Sequence, residues 1–173
     1  MTYPLAQIDW HPAFRIVPTR FPAINLFDRV ASPEDFDALY ALEAMTNDRI
    51  RDELGRIELV PRAERLYGPG SGPIMAAFTH LNPAGSRFSD GSFGVFYAAR
   101  DKATAIAETR HHQARFLAAT NEAPLQLQMR VYHVEVWGRL HDLRSVPKDD
   151  PLYHPASYAA SQALARQLRR DGS

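Results

Sequence analysis

The sequence contains no cysteine among its 173 residues. This absence excludes thiol catalysis, disulfides and cysteine-ligated zinc, and it is typical of a cytoplasmic protein. An excess of charge of one sign is also lacking, because Lys+Arg and Asp+Glu both number 20 and the formal net charge is +0. A protein that binds nucleic acid mainly through its net charge needs an excess of positive residues, so we expect no direct nucleic-acid partner.

Long apolar runs are missing as well. No stretch approaches the ~20 apolar residues that a membrane helix needs, and the first residues show no basic segment followed by a long apolar run. We therefore expect no membrane partner and no signal peptide. The remaining composition, 45% hydrophobic and 23% charged, is that of an ordinary globular protein. The length suits one domain over residues 1–173.

The pattern of apolar residues, glycines and prolines predicts a mixed order of helices and strands, which indicates an α+β fold. Helices are predicted from a cap at Ser32 to a stop at Gly55, over about 101–119 and over about 155–170. Strands are predicted at 14–17, 56–60, 93–99 and 125–138. Residues 61–73 are predicted to be loop, whereas 74–81 fit either a short helix or a buried strand.

Some predictions concern burial and irregularity. Helical spacing predicts one apolar face on the helix at 101–119, formed by Ala103, Ile106, Ala107, Ala114 and Leu117. Trp10 and Trp137 are predicted to be core residues rather than ligand platforms. Apart from 14–17, residues 1–31 are predicted to be mostly loop, because proline fixes φ and lacks an N–H. A change in strand alternation predicts a bulge or a bend near Tyr132.

Three residues on successive segments form a candidate site. Arg87 lies in the loop GSRFSDGS, Tyr97 on the next predicted strand and Glu108 on the next predicted helix. Successive segments usually stay close in space, so these side chains can converge on one cleft. A guanidinium fits phosphate oxygens, a tyrosine stacks on a flat ring, and a carboxylate stabilises a sugar cation. The alternative is a solvated arginine, a sheet-packing tyrosine and a surface glutamate.

Further candidates carry similar chemistry. Arg65 and Tyr67 lie in the loop ERLYGPGSG. Arg65 is a second candidate for a phosphate contact, and Tyr67 is a second aromatic candidate for lining the pocket. The alternative is that this glycine-rich loop serves only as a turn. His80 either lines the pocket or has a capping or core role. Arg15 in FRIV is a further, weaker candidate.

Histidines suggest a metal only weakly. His111 and His112 follow Glu108 by three and four residues, so one helical face can carry both ligand types. No third ligand stands at a clear spacing. We therefore predict no metal site and expect these histidines to flank or screen the cleft.

The stretch GSRFSDGSFGVFYAARDKATAIAE resembles the central signature of the RES domain family, named for its Arg, Glu and Ser. Arg87, Tyr97 and Glu108 match that signature in type and spacing. The later stretch SYAASQALARQLRRDG is similar to a helix of the same family. The resemblance runs from about Arg65 to Gly172.

The resemblance implies a split β-sheet with flanking helices, like that of ADP-ribosyltransferases, and NAD as the substrate. It implies catalytic roles for Glu108, Arg87 and Tyr97. The residues expected to contact NAD are Arg87, Tyr97, Arg65, Tyr67, Ser89 and His80. Ser89 stands where many relatives have an asparagine.

Family members are toxins of bacterial toxin–antitoxin pairs that consume NAD by hydrolysis or phosphorolysis, and some transfer ADP-ribose to a protein. The resemblance therefore implies a cytoplasmic hetero-oligomer with an antitoxin that carries a helix-turn-helix DNA-binding region and covers the active site. A non-catalytic nucleotide-binding or partner-binding module is the alternative.

The family's serine lies on a strand after the last helix, whereas this sequence ends at RRDGS. We therefore expect a RES-type domain without its last strand, and Ser173 is not assigned the role of that serine.

Overall fold

The computed structural model describes residues 3–20, 26–30, 32–45, 54–120, 123 and 125–171. Its helices and strands in chain order are β1 (Leu5–Pro18), α1 (Pro33–Ala44), α2 (Ser71–Thr79), α3 (Lys102–Ala118), β2 (Met129–His141) and α4 (Ala159–Arg170). Short 3-10 helices lie at Phe27–Arg29, Ile57–Leu59, Arg62–Glu64 and Pro151–Tyr153. Helices together with an antiparallel sheet confirm the α+β class.

The chain divides into two compact units. The sheet unit consists of Met1–Phe21 and Tyr97–Ser145, and the helical unit consists of Pro22–Phe96 and Val146–Ser173. In the part of the chain that the structure describes, no helix combines the length and the apolar character needed to cross a bilayer.

In the sheet unit, β1 pairs antiparallel with β2, from Leu5 opposite His141 to Pro18 opposite Met129. The prediction that this N-terminal region is mostly loop is wrong, because the predicted strand at 14–17 is only the end of a strand of 14 residues. Proline is tolerated where a ladder is irregular, since it has no N–H to donate. Pro12 lies at such a place, between Trp10 and Ala13, where the register shifts.

The bulge predicted near Tyr132 is misplaced. The register shift lies on β1, opposite the segment from Val134 to Val136 on β2. The strand also begins at Met129 rather than at 125 and continues to His141. Trp137 on this strand is 75% exposed, so the prediction that it is a core residue is wrong. Trp10 is half-buried.

Helix α3 confirms the predicted helix and its start. The Asp101 carboxylate accepts a hydrogen bond of 2.8 Å from the Thr104 N–H, which satisfies one of the unpaired donors at the helix start. The predicted apolar face is wrong except for half-buried Leu117. The exposed members are Ala103, Ile106, Ala107 and Ala114. Buried Ala105 and half-buried Thr109 show instead that a narrow stripe at four-residue spacing faces inward.

The helical unit is built around an aromatic core. Phe27 and Phe36 are buried and stack with ring centroids 5.0 Å apart, and Met75 on α2 belongs to the same cluster. The Ser32 hydroxyl accepts from the Asp35 N–H, which confirms the predicted cap of α1. Helix α1 ends at Ala44, so the predicted helix is not continuous, but Leu54 is again helical and the chain leaves the helix at Gly55 with a φ of 63°, as the predicted stop requires.

Residues 74–81, which fitted either a helix or a strand, are helical through Thr79, in α2. This helix also occupies the end of the predicted loop at 61–73. Residues 46–53, part of the predicted first helix, and Ser173 lie outside the described residues.

Two predicted strands are wrong. Residues 56–60 form the 3-10 helix Ile57–Leu59, because the Arg56 N–H bonds to the Thr79 carbonyl at the end of α2 instead of to a strand. The segment 93–99 pairs only through Ala99, which forms an isolated bridge with Phe14. Earlier in the segment, Gly94 packs so closely that a Cβ would lie 2.2 Å from the Ala77 carbonyl oxygen. Packing on α2 thus replaces strand pairing there.

Candidate active site

The Arg87 loop, residues 82–93, follows α2 in the helical unit. Gly85 turns the chain with a φ of 72°, and a Cβ there would lie 2.6 Å from the Ser89 carbonyl oxygen, so the position requires glycine. The Ser86 N–H then donates to the Ser89 carbonyl at 2.7 Å, which closes a tight turn around Arg87. The turn fixes the direction in which the arginine side chain leaves the backbone.

The Arg87 side chain is half-buried and bonded within its own unit. Its Nη1 donates to the carbonyls of Leu152 at 3.1 Å and His154 at 3.2 Å. The guanidinium carbon lies 4.7 Å from the centre of the Tyr158 ring, a cation–π distance. Both of these hydrogen bonds use one nitrogen of the planar fork. The arrangement holds the cation in one orientation.

Side chains of helix α4 also bond to the Arg87 loop. The Ser161 hydroxyl donates to the Arg87 carbonyl at 2.6 Å. Arg166 pairs with Asp90 at 2.7 Å. Hydrogen bonds from Ser92 and then from Arg166 lower the pKa of the Asp90 carboxyl below its usual value. Two positions in the middle of the loop, Arg87 and Asp90, are therefore bonded to one helix.

In the sheet unit, Tyr97 precedes α3 and is 42% exposed. Its carbonyl accepts a hydrogen bond of 3.1 Å from Arg15 Nη1, and two hydrogen bonds between Ala99 and Phe14 fix the same segment on β1. Within the sheet unit, Arg15, which is a weaker candidate from the sequence, therefore contacts the backbone of Tyr97, one of the three main candidates.

Glu108 is exposed and lies one turn after buried Ala105, beside the inward-facing stripe of α3. Among the residues that the structure describes, it forms no ion pair. Its carboxylate is therefore presented to solvent by a capped helix. Tyr97 and Glu108 belong to the sheet unit and Arg87 to the helical unit, so the convergence of all three residues stays a prediction.

Arg65 and Tyr67 are engaged inside the helical unit. Arg65 donates to the carbonyls of Val60 at 3.1 Å and Ile57 at 3.4 Å. Tyr67 packs with Phe36 at 5.5 Å between ring centroids and also contacts Phe27. These contacts give both residues a structural role, and their predicted contacts with NAD stay predictions.

Ser89 and His80 also have local roles. Ser89 is buried, and its hydroxyl donates to the Phe93 carbonyl at 2.5 Å and accepts from the Gly91 N–H at 3.0 Å. These bonds shape the Arg87 loop from within. His80 caps the end of α2, and its Nδ1 lies 3.1 Å from the Thr79 hydroxyl. His80 therefore occupies the capping position through its backbone N–H, which donates to the Ala76 carbonyl, and its predicted place in the pocket stays a prediction.

The neighbouring histidines His111 and His112 are exposed, with ring centroids 5.6 Å apart. Within the described ranges, no three His, Cys, Asp or Glu side chains cluster as metal ligands.

Arg130 and Tyr132 on β2 were not predicted as site residues from the sequence, although Tyr132 pairs with the candidate Arg15. Tyr132 lies directly opposite Arg15 in the sheet, and its hydroxyl accepts a hydrogen bond of 3.1 Å from Arg130 Nη1. Burial lowers the pKa of the Arg15 guanidinium, and the interaction with Tyr132 opposes that shift. The spacing of Arg130 and Tyr132 places them on one face of the strand, a signal visible in the sequence. The strand register, which places Arg15 opposite Tyr132, cannot be read from the sequence.

The RES domain family model matches residues 60–173, and the chain therefore belongs to the RES domain family. The match includes Arg87, Tyr97 and Glu108. A toxin-like, NAD-related role is a property associated with this family as a whole.

A curated relative, "Uncharacterized protein y4oC" of Sinorhizobium fredii (strain NBRC 101917 / NGR234), is 37% identical over 139 residues. The aligned region covers 79% of this chain but 58% of the relative, so the chain spans little more than half of that protein's length. No solved structure matches the chain.

Proposed function

We propose that this chain is the toxin of a bacterial toxin–antitoxin pair and that it consumes NAD by breaking the bond between nicotinamide and ribose. The observation that carries the proposal is the RES family match, which spans the arginine, tyrosine and glutamate of the predicted site. Their chemical types suit the parts of NAD, since these groups recognise phosphate, a flat ring with its sugar, and a developing sugar cation.

In the proposed reaction, the bond from the ribose anomeric carbon to the nicotinamide nitrogen breaks. The bonding electron pair leaves with nicotinamide, which departs as a neutral molecule, and positive charge develops on the ribose. Glu108 stabilises that charge and orients the ribose hydroxyls. Its exposed position on α3 leaves the carboxylate accessible to a substrate.

Arg87 holds a phosphate of the pyrophosphate, and Tyr97 positions the nicotinamide ribose or packs beside the nicotinamide ring. The orientation of the Arg87 guanidinium is set before NAD binds, because the cation is already bonded to two carbonyls. Such preorganisation lowers the ordering cost of binding. Arg15 is a second candidate for a phosphate contact. The protein's contribution is positioning and electrostatic stabilisation.

The second product depends on what attacks the ribose. Water attacks with loss of a proton and gives ADP-ribose, inorganic phosphate gives its phosphorylated form, and a protein side chain becomes ADP-ribosylated. Incubation with NAD labelled in the adenylate half, with and without cell extract, separates these outcomes. Label on a protein band supports transfer, and free ADP-ribose or its phosphate supports hydrolysis or phosphorolysis. Intact NAD after incubation of folded protein with extract and phosphate would refute the proposal.

The proposed partner is an antitoxin with a helix-turn-helix DNA-binding region, bound as a cytoplasmic hetero-oligomer that covers the active site. Co-expression with this antitoxin should raise the yield of the chain and suppress its NAD consumption.

A non-catalytic nucleotide-binding module is the second candidate. An Arg87 guanidinium held by the carbonyls of Leu152 and His154 would bind a phosphate whether or not the bond to nicotinamide breaks, so the same geometry fits this candidate. A thermal shift with NAD and no product would support this alternative.

A further inference from the structure

We infer that Gln162, assisted by Ser161, is a positioning residue that sets the location of Arg87 for ligand binding. This inference rests on the proposed function, in which Arg87 holds a phosphate of NAD. The evidence is a set of hydrogen bonds from the first turn of α4 to the turn that carries Arg87, all within the helical unit.

The side-chain amide of Gln162 spans the turn. Its Nε2 donates to the Ser86 carbonyl at 2.9 Å and to the Ser89 carbonyl at 3.1 Å. These carbonyls stand on either side of Arg87, and Ser86 and Ser89 also pair with each other. An amide nitrogen has two hydrogens and can satisfy both acceptors at once. A carboxylate of the same shape has none to give.

Ser161 supplies the third bond. It is fully buried, and its hydroxyl donates to the Arg87 carbonyl at 2.6 Å. Adjacent residues of one helix thus hold the carbonyls of three positions in the loop. The same helix begins after Tyr158, whose ring lies beside the Arg87 guanidinium. The backbone and the side chain of Arg87 are therefore located by the same end of α4.

The test compares Gln162→Glu with Gln162→Met and with Gln167→Glu as a matched control. Gln162→Glu places a carboxylate against two carbonyl oxygens, and Gln162→Met removes the donors without adding charge. Gln167 is an exposed residue of the same helix, so its substitution repeats the charge change away from the loop.

The steady-state measurement is NAD consumption. Arg87 binds phosphate in the substrate and in the transition state alike, so its displacement should raise KM and leave kcat nearly unchanged. We expect KM for NAD to rise about tenfold in Gln162→Glu, as the loss of one charged hydrogen bond implies. Gln162→Met should show a smaller rise, and Gln167→Glu should match the wild type. A role in stability alone would lower kcat by reducing the folded fraction, with KM unchanged.

A second readout does not depend on activity. Trypsin cleaves after arginine, and the Arg87 carbonyl is held by Ser161, so loosening of the loop should speed cleavage after Arg87 several-fold. Cleavage after exposed Arg144, in the sheet unit, gives the internal reference. Wild-type KM together with wild-type cleavage in both Gln162 variants would overturn the inference.

The two readouts separate this inference from the proposed function. If the wild type consumes no NAD, the proposed function fails, and the cleavage rates alone decide whether Gln162 holds the loop. If the wild type is active and Arg87→Ala has the same KM, Arg87 binds no phosphate and the inference fails with it.

Discussion

The two units present their candidate residues in different ways. In the helical unit, Arg87 is half-buried and bonded to Leu152, His154 and the Tyr158 ring. In the sheet unit, Glu108 is exposed and forms no ion pair with any residue that the structure describes. The arginine is therefore part of the fold as well as of the predicted site, whereas the glutamate is available for chemistry alone. Substitutions should separate these two kinds of residue.

The largest effect on stability is expected at the aromatic core of the helical unit. Phe27 is fully buried and stacks on Phe36, so Phe27→Ala should lower the free energy of unfolding by about 3–5 kcal/mol through the cavity it leaves. Phe116→Ala is the matched control in the sheet unit, since Phe116 is 61% exposed and its loss should change stability by less than about 0.5 kcal/mol. Urea unfolding measures both. Equal losses would show that the core is misidentified.

The next effect concerns catalysis at Glu108. Glu108→Gln keeps the size of the side chain but removes its charge, so NAD turnover should fall by about 100- to 1,000-fold. The melting temperature should not change, because the carboxylate forms no ion pair among the described residues. Glu64→Gln, at an exposed position of the helical unit, is the control. Unchanged NAD loss in Glu108→Gln would remove Glu108 from the mechanism.

Arg87→Lys should affect both stability and binding. An ammonium cannot reproduce the planar fork or its packing on the Tyr158 ring. We expect the free energy of unfolding to fall by about 1–3 kcal/mol as bonds to two carbonyls are lost. KM for NAD should rise in the same variant. Chemical unfolding and steady-state kinetics check the two effects, and a stability loss with an unchanged KM would assign Arg87 to the fold alone.

The smallest effect compares the helix caps of the two units. Ser32→Ala should cost about 1 kcal/mol of stability at any pH, because a hydroxyl does not titrate in the accessible range. Hydrogen bonds from Thr104 lower the pKa of Asp101 in the folded chain. The Asp101 contribution is therefore complete above the unfolded value of about 3.9 and is lost as pH falls through the lower folded value.

Melting temperatures of Ser32→Ala and Asp101→Ala, each measured against the wild type across acidic pH, test this difference. The deficit of Asp101→Ala should shrink on acidification while that of Ser32→Ala stays constant. A pH-independent deficit at Asp101 would show that its cap does not depend on charge.

Local signals in the sequence identify the helix starts well. Ser32 and Asp101 are capping residues that act within a few residues of themselves, and both cap their helices in the structure. Strand pairing depends on distant partners. The proline-rich start of the chain pairs with β2, and the segment 93–99 packs on α2 through Gly94, neither of which local alternation reveals.

The candidate site, like the fold, is predictable from the sequence only where its signals are local. Arg87, Tyr97 and Glu108 stand out by residue type and spacing along the chain. The contacts of Arg87 with Leu152 and His154 cross more than 60 residues of sequence, so no local pattern indicates them. The pairing of Arg15 with Tyr132 depends on the strand register in the same way.

The most direct test is an NAD-consumption assay on the purified chain beside Arg87→Ala, Glu108→Ala and the double variant. With NAD supplied below the wild-type KM, we predict that the wild type releases nicotinamide and that each single variant loses most of this activity, Arg87→Ala through a raised KM and Glu108→Ala through a lowered kcat. Because the two residues act on different kinetic constants, the double variant should be worse than either single variant. Nicotinamide release at the wild-type rate in both single variants would contradict a shared role for Arg87 and Glu108 in NAD cleavage.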